Sequence, residues 1–349
     1  MFDYSPPANV CIVRLSHFGD TCHALAVVRA IQDTWPETRL TWIIGKTEAG
    51  LMADIPGIEF IIFDKAKGRA AYGDIRRHLK GRQFDVALCM HASMRVNRIY
   101  RTIDTPIRLG YDRKRARDLQ WLFTNQRIAA NDGQHVLDAM MSFAHHIGVP
   151  ERELRWDIPI GETNRAFARD ATGNCAVLAI SPCSCQRIRN FRNWSADNYA
   201  AAATDSRRKF GCRIVLTGGP SELEKDYGRK ITDLCGAETV NLIGKTSLKD
   251  LLAVLDAADV LISPDSGPAH MATAAGTPVI GLYATSNPAR SGPYLSRDLT
   301  VNAYPDAVGR YLGKTVEQVR WGQRVRNPGA MDLIRLRDVI AKIDQVFGN

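Results

Sequence analysis

No run in this 349-residue chain approaches the roughly 20 consecutive apolar residues that span a bilayer. The N-terminal MFDYSPPANV lacks the charged-then-apolar pattern of a secretory leader, so the chain is expected in the cytoplasm. Low-complexity tracts and short internal repeats are missing, which excludes solenoids and disordered linkers. The eight cysteines form no paired CxxC motifs, arguing against a zinc ribbon. Several sit inside apolar runs, where cysteine acts as a small buried hydrophobe. Cys183 and Cys185 are the exception, close enough to raise a metal or redox role. GxGxxG is missing after the first apolar run, and Gly244-Lys245-Thr246 lacks the upstream glycines of a P-loop. No aromatic-studded basic motif argues for nucleic acid.

What is present is a soluble globular composition, 45% apolar and 24% charged, with a net charge of +9. The basic surplus concentrates between Lys65 and Arg117, which makes an anionic partner for the N-terminal half the favoured expectation. Short apolar runs alternate with helical patterns through both halves. Val10–Leu15, a helix to about Thr34 and Leu40–Ile44 form a first βαβ unit. Polar residues from Glu151 to Thr172 interrupt the rhythm, and Ala176–Ile180 restarts it. The length suits two domains of ordinary size.

Val260 to Tyr294 carries the densest signal. An apolar strand stops at Pro264, Asp265-Ser266-Gly267-Pro268 turns the chain, and a small-residue helix follows to Gly276. Asp265 falls at the carboxyl end of a buried strand, where open α/β sheets bind ligands. Ser266 and Gly267 precede a helix whose free N–H groups favour an anion, and His270 lies in its first turn. An ordinary βα turn with Asp265 as the helix cap is the competing reading. Asp20, at the start of the first helix, can likewise be only a cap. His91 follows a strand end, although a lone histidine is more often structural.

Three blocks in this order resemble one family. Arg14-Leu15-Ser16 with Gly19-Asp20, Gly244-Lys245-Thr246-Ser247-Leu248, and Asp265-Ser266-Gly267-Pro268-Ala269-His270 with Gly276, Pro278, Thr285, Pro288 and Gly292-Pro293 are similar to the motifs of the ADP-heptose:lipopolysaccharide heptosyltransferases. These are inverting glycosyltransferases of family nine. The resemblance implies an α/β GT-B fold, two Rossmann-like parallel-sheet domains facing a central cleft. Residues 1–160 would bind the acceptor and 161–330 the nucleotide sugar, with the helix in 331–349 packing back on the first domain.

The resemblance also assigns roles. Asp20 is the base on the acceptor hydroxyl, although a helix N-terminus weakens a carboxylate in that role. Ser184 and Arg192 hold phosphate, Arg192 standing where the family has lysine. Glu222, with Glu224 as the alternative, holds the ribose; Thr246 lines the adenine pocket; Asp265 binds sugar hydroxyls beside Ser266, Gly267 and His270. Lys65, Lys67, Arg69 and His91 face an anionic, Kdo-containing lipopolysaccharide core, with peripheral contact to the inner membrane. The donor is ADP-heptose, and no metal or other cofactor is implied. Alternatives are a GT-B transferase using another nucleotide sugar or a protein acceptor, and a catalytically silent binding protein. Pro182-Cys183-Ser184-Cys185 departs from the family's small-residue phosphate loop, and Ser195 stands where its proline is usual.

Overall fold

The computed structural model describes residues 2, 5–184, 190–236 and 238–348. The chain divides into two compact units, Met1–Pro159 and Ile160–Asn349.

The first unit runs β1 (Asn9–Val13), α1 (Phe18–Thr34), β2 (Arg39–Gly45), α2 (Lys46–Met52), β3 (Ile58–Phe63), α3 (Ala70–Leu79), β4 (Val86–Leu88), α4 (Met94–Tyr100), β5 (Arg108–Gly110), β6 (Gln126–Arg127) and α5 (Val136–Ile147). Its strands pair in parallel in the order β3-β2-β1-β4-β5-β6. Val10, Ile12, Val86 and Leu88 are wholly buried, as strands covered on both faces require.

The second unit continues with α6 (Glu162–Thr172), β7 (Val177–Ile180), α7 (Ala196–Phe210), β8 (Arg213–Leu216), α8 (Glu222–Cys235), β9 (Val240–Asn241), α9 (Leu248–Asp256), β10 (Val260–Pro264), α10 (Gly267–Ala275), β11 (Val279–Tyr283), α11 (Pro288–Ser291), β12 (Val301–Asn302), α12 (Tyr304–Leu312) and α13 (Leu336–Phe347). Its parallel sheet has the order β12-β11-β10-β7-β8-β9.

Both orders are the doubly wound arrangement in which the winding reverses beside the first strand. The switch points fall between β1 and β4 and between β7 and β10. These are the GT-B building blocks expected from the sequence. The carboxyl ends of β1 and β4 deliver Arg14 and His91; those of β7 and β10 deliver Ser184 and Asp265.

The C-terminal helix falls in the second unit. α13 lies against α7 and the β11–β12 edge. Val339 and Ile343 are buried in the same core as Tyr199, and the Phe347 and Phe210 rings sit 5.3 Å apart. Trp194 Nε1 donates to the Ile334 carbonyl at 3.1 Å, fixing the approach to that helix. Its apolar stripe is therefore already satisfied within its own unit.

Candidate active site

In the first unit, the site starts where β1 ends. Trp42 Nε1 donates to the Arg14 carbonyl at 3.1 Å, and Arg14 Nη1 donates to the Met90 carbonyl at 2.7 Å, tying β1, β2 and β4 at one edge. Arg14 is buried, and its other terminal nitrogen forms an ion pair with Asp20. Asp20 is the third residue of α1 and a third exposed, so its carboxylate is fixed by Arg14 while still open on one side. The α1 cap residue is His17, which makes no side-chain cap. Asp20 is therefore not the N-cap of this helix.

His91 sits opposite, at the end of β4. Its Nδ1 accepts the Leu15 N–H at 3.3 Å, and the Tyr100 hydroxyl donates to its carbonyl at 2.6 Å. Burial, followed by the nearby Arg14 cation, lowers its pKa to about 3, with Asp20 opposing. The histidine is neutral at physiological pH, so it can give or accept a hydrogen bond but brings no charge to the site. Its unfolded pKa is near 6.5. Neutral burial then contributes stability that is complete above that value and is lost as pH falls toward the folded pKa. Between pH 6.5 and 5 the loss is about 2 kcal/mol. The prediction is that His91→Asn flattens the acid limb of a Tm-against-pH curve in this window; an unchanged limb refutes it.

Lys65 and Lys67 lie in a 3-10 turn after β3, capped by Asp64, whose side chain accepts the Ala66 N–H at 3.0 Å. Lys65, Lys67 and Arg69 are exposed at the same sheet edge, with Lys67 also paired to Asp74 at 2.9 Å. Sequence reading missed Glu48 on the first turn of α2. This carboxyl is buried, and desolvation raises its pKa against the pull of Lys65 and Arg14. It folds back on Gly45, where an added Cβ would stand 2.4 Å from Oε2 and 2.3 Å from the Leu15 carbonyl oxygen.

In the second unit the Asp265 turn is not a capped βα turn. Ser266 occupies the cap position of α10 without a side-chain cap bond, its hydroxyl meeting Ser263 Oγ at 2.7 Å. The Asp265 carboxylate instead accepts from Arg192 Nη1 at 3.2 Å and from the Ser286 hydroxyl at 2.8 Å. The same Arg192 nitrogen donates to the Asp265 carbonyl at 2.8 Å, and Nε donates to Asn190 Oδ1 at 3.1 Å. Asn190 Nδ2 donates to Ser184 Oγ at 2.6 Å, and the Ser184 N–H donates to Asn193 Oδ1 at 3.0 Å. The loop after β7 and the turn after β10 thus form one polar network at the switch point. It holds a nearly buried guanidinium beside a helix N-terminus with no side-chain cap, and both features attract an anion.

The structure joins Ser184, Arg192 and Asp265 in this network; Ser266 and Gly267 follow Asp265 in the chain at the start of α10, with His270 one turn further along. Thr246 lies beside a second turn at the same edge. There Gly244 N–H donates to the Gly218 carbonyl at 2.9 Å, and Gly244 takes a positive φ of 75° that glycine adopts without strain. Of the two carboxylates on α8, Glu224 is built into the glycine turn, accepting from Gly219 N–H at 2.7 Å and Ser221 Oγ at 2.5 Å. Glu222 is exposed and pairs only at the surface with Lys225, at 2.9 Å. Sequence reading missed Asn190, Asn193 and Ser286. Their signal was weak, since isolated polar residues in loops are ordinary.

Cys183 is buried, and desolvation pushes its thiol up to about 12, which keeps it protonated. Cys185 lies outside the described residues. Among the described residues, no group of three His, Cys, Asp or Glu side chains converges as a metal site.

A family model described as "Glycosyltransferase family 9 (heptosyltransferase)" matches residues 73–308. The chain is 38% identical over 341 residues, 97% of each chain, to a Haemophilus influenzae protein named "Lipopolysaccharide core heptosyltransferase OpsX". It is 21% identical, over 94% of this chain and 96% of the other, to an Escherichia coli "Lipopolysaccharide heptosyltransferase 3". Among solved structures, a family 9 glycosyl transferase from Veillonella parvula covers 99% of this chain and 98% of its own, with 22% identity and a TM-score of 0.79. The E. coli heptosyltransferase WaaC with ADP covers 97% and 99%, with 18% identity and a TM-score of 0.74. At these identities the structural matches speak for the fold.

Proposed function

Because the chain belongs to glycosyltransferase family 9, we propose that it transfers heptose from ADP-L-glycero-D-manno-heptose to the inner core of lipopolysaccharide with inversion. The observation that carries the donor side is the Arg192 guanidinium laid on Asp265 beside the N-terminus of α10, which has no side-chain cap. A diphosphate leaving group needs such a cation together with N–H donors. The 38% identical relative, named for lipopolysaccharide core heptosyl transfer, supports the sugar and acceptor classes.

In this reading Asp20 takes the proton from the acceptor hydroxyl as that oxygen attacks the anomeric carbon. The carbon–oxygen bond to ADP breaks on the opposite face through an oxocarbenium-like state. Arg192, Ser184 and the Ser266–Gly267 amides take up the charge on the departing diphosphate. Asp265, His270 and Thr246 meet the sugar and nucleoside. Lys65, Lys67 and Arg69 meet Kdo carboxylates and phosphates, with neutral His91 hydrogen-bonding beside them. The reaction draws its electrophilic help from these side chains, and no resident cofactor is proposed. The proposed acceptor class supports a cytoplasmic location at the inner-membrane surface. Among the described residues no helix is long and apolar enough to cross a membrane.

Glu222 is proposed to reach the ribose hydroxyls. Its exposed pair with Lys225 is screened by solvent, so a ligand displaces it cheaply. Glu222→Ala is expected to raise the donor KM about tenfold with kcat nearly unchanged, the pattern of lost uniform binding. Glu224→Ala is expected to lower Tm first, because it releases the Gly219 N–H and the Ser221 hydroxyl. An unmoved KM in Glu222→Ala removes that residue from the donor site.

The test of the function is ADP release from ADP-heptose with a Kdo-containing core acceptor, compared with UDP- and GDP-sugars. Turnover with another nucleotide sugar alone would reassign the donor.

A further inference from the structure

The segment between β5 and β6 presents apolar side chains that the transfer chemistry does not use. Leu119, Trp121 and Leu122 are 49%, 39% and 51% exposed, on consecutive turns of one loop. The loop is held, not loose. Asp118 and Leu119 both take the left-handed conformation, with φ of 50° and 59°, unusual for non-glycine residues and retained only where surroundings enforce it. The enforcing contacts are on either side. Asp118 accepts the Met94 N–H at 3.1 Å and the Asn97 amide at 2.7 Å, clamping the loop on the start of α4. Buried Gln120 donates to the Cys89 carbonyl at 2.7 Å and accepts the Tyr111 N–H at 3.2 Å. Between and beyond these clamps the apolar side chains are turned outward.

The surroundings are cationic. On α4 and its C-cap, Arg95, Arg98 and Arg101 repeat at three-residue intervals and are exposed, and Arg101 lies 4.6 Å over the Phe123 ring at the loop's end. Arg113 and Arg117 are exposed on the approach. From Arg95 to Phe123 the chain has eight cationic and three acidic residues. Of the acids, Asp112 is buried against Arg115, while Asp104 and Asp118 are exposed; against these two stand the exposed Arg95, Arg98, Arg101, Arg113, Lys114 and Arg117, so the outward balance is cationic.

Outward apolar tips ringed by arginines match the interface of an anionic bilayer, where the tips enter the acyl boundary and the cations meet phosphates. We propose that the Leu119–Leu122 loop, with the arginine face of α4, docks this protein on an anionic phospholipid surface. The proposal deepens the reading above, which needs an acceptor presented from a membrane. Phospholipid alone should suffice for this docking, without donor sugar or core acceptor.

The experiment is co-sedimentation of the full chain with vesicles of phosphatidylethanolamine and phosphatidylglycerol at 3:1, against phosphatidylcholine vesicles. Neither contains donor sugar or core acceptor, so the result is independent of whether heptose is transferred. Wild type is expected to sediment with the anionic vesicles and little with the neutral ones. Trp121→Ser/Leu122→Ser and Arg98→Glu/Arg117→Glu should each weaken that partition by about tenfold or more. Trp121→Ser/Leu122→Ser should keep its Tm and its transfer to a deacylated, soluble acceptor. Equal binding to both vesicles, no binding to either, or partition unmoved by both variants overturns the proposal. So does sedimentation that appears only when core lipopolysaccharide is added.

Discussion

Asp20→Ala is expected to lower kcat for transfer by about 10²–10⁴-fold, the range for a lost general base. ADP affinity should stay within about twofold, because the base acts only in the transition state and the diphosphate ligands lie in the other unit. The geometry behind this is the ion pair with Arg14. Arg14 is buried, fixed on the Met90 carbonyl, and its Nε has no hydrogen-bond partner, so it depends on Asp20 for its charge balance. Alanine leaves that guanidinium uncompensated and also costs stability, on the order of 1–3 kcal/mol. Asp20→Asn separates the two effects. The amide preserves a hydrogen-bonding partner for Arg14 but cannot take a proton, so Tm should recover while kcat does not. If both variants lose ADP binding together with turnover, Asp20 is a structural residue.

Arg192→Ala has the second large effect. Arg192 and Asp265 are both nearly buried, so removing the cation leaves a carboxylate whose side-chain partner among the described residues is the Ser286 hydroxyl. Breaking such a pair from one side costs about 3–5 kcal/mol, shared between stability and function. On the enzyme's kinetics, donor KM should rise at least about tenfold and kcat fall about 10²–10³-fold, since charge develops on the leaving diphosphate. Arg192→Lys distinguishes charge from shape. Arg192 bonds Asn190 through Nε, and the Asp265 backbone carbonyl and one carboxylate oxygen through Nη1, a set of contacts that an ammonium cannot reproduce. The lysine variant should retain roughly a tenth of kcat/KM. Full activity in Arg192→Lys would mean that only a point charge is needed; full activity in Arg192→Ala would take the residue out of the site.

The parts of this molecule that sequence reading reached are those where one segment carries both fold and chemistry. Val260 to Tyr294 is such a segment: its strand, turn, helix and strand are local, and Asp265 inherits its place from the strand end. The position of Asp20 in the first turn of α1 was legible for the same reason. The distant partners were not. Arg192 meets Asp265 across 73 positions, and Ser286 reaches the same carboxylate across 21. Nothing local marks either contact. β5 and β6 span three and two residues, too short for alternation to show, so the loop between them was read only as basic sequence. Glu48 gave no signal because a glutamate in the first turn of a helix is ordinary; its burial comes from the approach of β1 to β2. The C-terminal helix was read correctly as amphipathic, but a stripe says only that a partner exists. Here that partner is α7, through Tyr199, Val339 and Ile343 in one core.

Transfer of a heptose from ADP-heptose to lipopolysaccharide core is tested by mass analysis of the acceptor after incubation with the purified protein. A gain of one heptose residue is expected, matched by an equal release of ADP and absent with Asp20→Asn. An unmodified acceptor, from a preparation that binds ADP and turns over a different nucleotide sugar, would contradict it.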